Sequence, residues 1–329
     1  MGKAWIGLAA AMLIAAPGLA GLLQLNVDVR EVTINVFVDN SAKKPITNLT
    51  REDFSVFEDG AAREVSNFTS AETPYNILLL FDRSSSTQSQ WPFLLRAISR
   101  FITQLDDEQR TAEHRIALAA FDDEPEMIMD WMYARAFANQ AFRSIPTGNG
   151  GTHVYEAIEW ATAQFKGTQG RKGVIVLTDG VDNLLSKKLV TFDRDRNPAI
   201  APPKQDGDFQ KMLRTVSQSG VFVYFVAVNT DRNFDPRLPK NDFDLLQRAA
   251  ARERMEIVAN RSNGTLHLPR TIEDVGALYE KIGTELGHSY SLGFRPGKIT
   301  QDGSFHPIEV RVRDKALRVT QSRDGYYAR

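Results

Sequence analysis

An unbroken apolar run, Ile77-Leu78-Leu79-Leu80-Phe81, stops at Asp82, and after Arg83 come the hydroxyls of Ser84 to Thr87. A run of this length without polar alternation predicts a single strand buried on both faces. At its end, the D-x-S-x-S spacing of Asp82, Ser84 and Ser86 puts oxygen donors on alternate residues. An extended or turning backbone can aim all three at one point. Carboxylate and hydroxyl oxygens are hard donors, suited to Mg²⁺, Mn²⁺ or Ca²⁺ and unsuited to thiophilic metals.

Two later stretches share this character. Val174-Ile175-Val176-Leu177-Thr178 is a second apolar run, closed by Asp179-Gly180, and Gly148-Asn149-Gly150-Gly151-Thr152 delivers a hydroxyl just before a helical pattern. Together, Asp82-x-Ser84-x-Ser86, Thr152 and Asp179 in T-D-G resemble the metal-ion-dependent adhesion site of the von Willebrand factor type A domain. The resemblance implies Ser84, Ser86 and Thr152 as direct ligands and Asp82 and Asp179 acting largely through water. It also implies a vacant position for an acidic side chain of a partner protein. Beyond the domain, "PITNLTREDFSVFEDG", "YSLGFRP…DGSFHPIEVRVRD" and "GYYAR" are similar to secreted bacterial proteins related to this family and abundant in acidobacteria.

The 329 residues suggest two domains. From Tyr75 onward, strand and helix patterns alternate, which implies a mostly parallel sheet with helices on both faces. Strands are expected at 76–82, 115–121, 126–129 (an antiparallel edge), 173–179, 221–228 and 264–268. Helices are expected at 92–105, 135–143, 153–166, 208–218, 242–260 and 272–286. This makes 75–287 a doubly wound, six-stranded α/β domain of von Willebrand A (Rossmann-like) type. Residues 26–72 alternate as strands, with a one-turn helix capped by Thr50 and a hairpin at Asp59-Gly60. Residues 288–329 return to strands. Neither end is large enough for a comfortable core of its own, so the two are expected to pair as one small β-sandwich.

Lys3, the apolar stretch Ala4 to Ala16, Pro17 and the small-residue pattern ending at Ala20 read as a signal peptide over 1–20. The rival is an uncleaved anchor, because apolar residues continue through Leu23. The expectation is export to the periplasm or the extracellular space, with a membrane involved only if the leader stays on. A formal net charge of −1 gives no argument for nucleic acid. Absence of cysteine excludes disulfides, thiolate sites and a cysteine nucleophile.

Around the site, Arg83, His153 and Phe234 are candidate partner contacts, although a solvated surface charge suits Arg83 and an exposed first-turn position suits His153. The acidic turn Asp122-Asp123-Glu124 reads either as bearing on the metal or, the better expectation, as solvated hairpin chemistry. Residues 180–207 and 229–241 are long loops on the same face, either binding elements or, for the first, a disordered excursion. Asp193-x-Asp195-x-Asn197 begins like a calcium loop, but Pro198 and Lys204 stand where glycine and glutamate are required. No Walker loop, G-x-S-x-G elbow or H-E-x-x-H appears, and Ser84 to Ser86 have no partner histidine visible in the sequence. The reading is therefore a non-enzymatic, Mg²⁺-type protein-binding module. The alternatives are an envelope scaffold whose metal orders loops, and a metal-assisted hydrolase.

Overall fold

The structure is a computed structural model; it describes residues 31–84, 87, 96–102, 114–134, 136, 148, 150–192, 197–228, 242–297 and 304–327. The helix expected at 135–143, the loop 229–241 with Phe234, and the leader lie outside the described residues, apart from Ala136. So do Ser86, Asp193 and Asp195.

The organising strand is β5 (Tyr75–Asp82), in which every residue is buried. It pairs in parallel with β6 (Arg115–Phe121) on one side and with β8 (Arg171–Thr178) on the other. Beyond β8 lie β11 (Phe222–Ala227) and β12 (Leu266–His267), both parallel. Beyond β6 lies β7 (Pro125–Tyr133), antiparallel and longer than expected. The sheet order is therefore β12-β11-β8-β5-β6-β7, the mixed six-stranded sheet that the apolar runs predict. Side-chain alternation divides the core. Ile77, Leu79 and Phe81 join Ile98 and Phe101 of α1 (96–102) and Tyr279 of α6 (Ile272–His288). Leu78 and Leu80 join Ile158 of α2 (Val154–Ala163), Phe209 of α4 (Gly207–Ser219) and Val258 of α5 (Asp242–Arg261).

The chain ends build two further sheets. In one, β1 (Val32–Asp39) lies between β13 (Tyr290–Phe294) and β15 (Arg318–Gln321), and β4 (Val65–Thr69) flanks β13. In the other, β14 (Phe305–Val312) lies between β2 (Phe54–Glu58) and β16 (Gly325–Tyr327), and β3 (Ala61–Arg63) closes the hairpin. Ile34, Val36, Val56, Leu292, Ile308 and Val310 share one core, so the apolar faces of both sheets are covered by residues from both chain ends. Buried Arg171 fastens this sandwich to the central sheet. Its guanidinium donates to the carbonyls of Ala71 and Thr73, where the chain enters β5, and to that of Ser289, where it leaves α6. It also lies 4.4 Å from the centre of the Tyr75 ring, a cation–π contact in a desolvated setting.

The segment 180–207 is not a disordered excursion where it is described. It contains the short helix α3 (Asn183–Ser186), the hairpin of β9 (Val190–Phe192) and β10 (Pro198–Ile200), and a 3-10 turn over Pro203–Gln205. Leu185, Leu189 and Ala201 form a small core with Ala251 of α5. Buried Asp206 locks this arrangement. Its carboxylate caps α4 through Phe209 N at 3.0 Å, accepts from Tyr155 Oη at 2.9 Å and accepts from Arg254 Nε at 3.2 Å. Arg254 also donates to the Ala201 carbonyl at 2.7 Å. Asp206→Ala would leave a buried guanidinium without its anion. The expected loss is about 3–5 kcal/mol in urea unfolding, with a disproportionate rise in proteolysis within 180–207.

Candidate functional site

Because β5 and β8 are parallel, Asp82 and Asp179 emerge at the same carboxyl edge of the sheet, where open α/β sheets bind ligands. Both are essentially inaccessible to solvent, Asp82 at 0% and Asp179 at 2% exposure. Asp82 Oδ2 accepts from Thr178 Oγ1 at 2.6 Å, and its Oδ1 accepts from Ser84 N at 2.9 Å. Thr87 Oγ1 donates to the carbonyls of Asp82 at 2.6 Å and Ser84 at 3.0 Å, which folds the D-x-S turn back on itself. These bonds do not compensate the buried charge. Desolvation first, and the Asp179 carboxylate second, push Asp82 up to about 7.

Ser84 and Thr152 are also buried. Thr152 belongs to the glycine-bearing loop that precedes α2, and its carbonyl accepts from Asn183 N at 2.9 Å, which ties that loop to the segment after Asp179. Gly151 packs closely there: an added Cβ would meet the Asn183 side-chain amide at 1.9 Å, so a larger residue would have to turn that amide aside. Asp182, which the sequence reading passed over, holds the two segments together. Its Oδ1 caps α3 at Leu184 N (2.8 Å), and its Oδ2 accepts from Val154 N at 2.8 Å at the start of α2. One carboxylate thus serves two helix N-termini. Burial, the largest influence, still moves it up to about 6. A helix-capping aspartate before Asn183-Leu184 is legible in sequence; its reach to Val154 is not.

Two expectations about the rim need correction. Arg83 is not a solvated charge: its side chain is only 12% exposed, with Nη1 2.9 Å from Glu126 Oε2 and Nη2 3.3 Å from Asp122 Oδ1. Nor is the acidic turn merely solvated. Asp122 holds Arg83, its carbonyl accepts from His153 N at 2.9 Å, and Asp123 Oδ1 accepts from Gly151 N at 2.8 Å. The turn after β6 therefore clamps the Asp82 loop to the Thr152 loop. His153 is half-buried at the N-cap of α2, and its side chain makes no cap hydrogen bond. A further residue comes from α5: Arg248 Nη1 lies 3.6 Å from Asp179 Oδ2, with the arginine 13% exposed. Nothing in the local sequence of α5 announces this ion pair. Among the described residues, no three His, Cys, Asp or Glu side chains cluster as a metal site by themselves; the candidate set depends on hydroxyls. No helix among the described residues is long and apolar enough to cross a membrane.

Residues 77–181 match the sequence profile described as the von Willebrand factor type A domain. No curated protein matches the chain in sequence. Among solved structures, the pilus adhesin SpaC from Lactobacillus rhamnosus GG in its open conformation is 11% identical with a TM-score of 0.49, covering 89% of this chain and 47% of that one. A von Willebrand factor type A protein from Catenulispora acidiphila is 12% identical with a TM-score of 0.46, covering 92% and 74%. An aerotolerance-related membrane protein from Bacteroides fragilis is 16% identical with a TM-score of 0.41, covering 64% and 98%.

The raised Asp82 gives a pH signature in the absence of divalent cations. Between its ordinary value of 3.8 and about 7, the folded chain keeps a proton that the unfolded chain has released. Stability should therefore be greatest below that window and fall as pH rises through it, levelling off above. Urea unfolding in chelator at a series of pH values measures this, and Asp82→Asn should flatten the dependence.

Proposed function

Because the chain carries a von Willebrand factor type A domain, we propose that Asp82, Ser84, Ser86, Thr152 and Asp179 hold a divalent cation that captures an acidic side chain of a partner protein. The observation that carries this reading is the pair of buried carboxylates at one sheet edge, close enough for Asp179 to raise Asp82, with Ser84 N bonded to Asp82 and the buried Thr152 loop tied through its backbone to the segment after Asp179. Such a pair is costly in a low-dielectric site, and a dication offsets that cost. The donor set fits Mg²⁺, with Mn²⁺ or Ca²⁺ as substitutes, because every donor is a hard oxygen.

Three of the donors are neutral hydroxyls, so two carboxylates leave a bound dication little surplus negative charge. It stays electrophilic toward one more carboxylate, which suits it to capturing an acidic side chain. Arg248 adds a fixed positive charge beside Asp179. It both lowers the cost of Asp179 without metal and favours an anionic partner. Selectivity is assigned to the rim. The β9–β10 hairpin carries Phe192 at 68% exposure, an aromatic of the kind that anchors interfaces; His153 and Phe234 are the other proposed contacts. The leader over 1–20 is read as an export signal, which places the binding event outside the cytoplasm.

Calorimetric titration with Mg²⁺, Mn²⁺ and Ca²⁺ tests the reading. Wild type should bind, and Asp179→Ala should lose the signal while its circular dichroism spectrum stays native. Arg248→Gln should bind Mg²⁺ more tightly, by a few-fold, because the metal no longer works against a neighbouring cation. Partner capture that survives both chelator and Asp179→Ala would overturn the assignment.

A further inference from the structure

A second constellation lies on the β-sandwich, made of residues that the type A site does not use. Ser304 Oγ is 3.0 Å from His306 Nε2, and His306 Nδ1 is 2.7 Å from Asp59 Oδ2. The chemistry of the partners sets the tautomer. The Asp59 carboxylate can only accept, so Nδ1 carries a proton, and in the neutral imidazole Nε2 is then left to accept from the Ser304 hydroxyl. Nucleophile, base and orienting carboxylate are thus hydrogen-bonded in series, the arrangement by which a serine is activated.

The scaffold holds these groups firmly. Ser304 immediately precedes β14, and the i, i+2 spacing carries Ser304 and His306 to one face. Asp59 and Gly60 turn the β2–β3 hairpin with φ of 50° and 77°, a pairing that Asp-Gly tolerates well. Asp59 N donates to the Pro307 carbonyl at 3.0 Å, and Glu58 pairs with Ile308 in the ladder, so the turn is pinned beside His306. The imidazole stacks on the Tyr326 ring (centroids 5.5 Å apart, planes 25° apart), and Tyr326 Oη donates to the buried Glu58 carboxylate. Ser304 is exposed and the His306 side chain is 17% exposed, so a substrate and water can reach the pair.

We propose that Ser304, His306 and Asp59 form an esterase site, with Ser304 as nucleophile, His306 as general base and then acid, and Asp59 as the positioning residue. Its substrate class is a carboxylic ester with an accessible carbonyl. Ser304 Oγ bonds to the carbonyl carbon as its proton passes to His306 Nε2. The ester C–O bond breaks and the alcohol leaves with that proton. Water then attacks the acyl-serine, giving its proton to His306; the serine–acyl bond breaks, the carboxylic acid departs and Ser304 regains its proton. Asp59 keeps the Nδ1 proton in place throughout.

The test uses the full chain, p-nitrophenyl acetate and a fluorophosphonate probe. The probe should label Ser304, located by peptide mass spectrometry, and should not label heat-denatured protein. Ser304→Ala should abolish labelling and lower hydrolysis by about 10²-fold, the lower range for a positioned general base. His306→Gln should lower labelling and hydrolysis to a similar extent. Asp59→Asn keeps a residue that accepts positive φ, so the hairpin should persist while the labelling rate falls, a change that a purely structural role would not produce. Chelator should leave labelling unchanged, which separates this site from the type A site. Hydrolysis that persists in Ser304→Ala would be simple imidazole catalysis and would overturn the proposal, as would absence of label on Ser304 in folded protein.

Discussion

A carboxylate at the end of a strand with no exposed residue is the constraint on which the molecule's main site depends. β5 is buried because it pairs on both edges and is covered on both faces. Asp82 inherits that burial, and its carboxylate is shielded from bulk solvent. Thr178, Ser84 and Thr87 exist in their observed positions to give its side chain and backbone hydrogen-bond partners. They leave the charge only partly compensated, and the second buried carboxylate of Asp179 adds to the imbalance. Two buried carboxylates at the carboxyl edge of a sheet are costly to ionise together unless a positive charge joins them.

The periphery is organised by the same physics with the opposite sign. Arg171 and Arg254 are buried cations, each surrounded by carbonyls or a carboxylate and each joining segments distant in sequence. Arg171 fixes where the β-sandwich meets the sheet. Arg254, through Asp206, fixes where the 180–207 segment meets α5. Around the type A site, Asp122, Asp123 and Asp182 bind loop amides and Arg83, so the loops carrying the donors are held by their backbones. The two carboxylates are themselves held, Asp82 by Thr178 Oγ1 and Ser84 N, and Asp179 by Val181 N and Arg248.

Much of this was legible in the chain itself. Unbroken apolar runs announce buried parallel strands, so the six-stranded sheet and its antiparallel edge follow from pattern. Asp59-Gly60 announces its hairpin, and Thr50 with Asp53 its capped turn, with Thr50 N donating to Asp53 Oδ2 at 2.8 Å. The fold of 180–207 was not legible, because its short elements are stabilised by Ala251 and Arg254, which lie far along the chain. Arg83 looked like a surface charge for a similar reason: its two acidic partners belong to the turn and strand that follow β6.

Sequence alone therefore determined the period of each element and the sheet they form, and it nominated the candidate oxygen donors, since these are properties of short windows. Only the tertiary structure decided which charges are buried, who pairs with whom and which distant side chains converge. Arg248 beside Asp179, Asp182 between two helix ends, and His306 between Ser304 and Asp59 are all of this kind. Desolvation and Coulomb interaction depend on distance through space, and chain folding sets that distance independently of separation along the sequence.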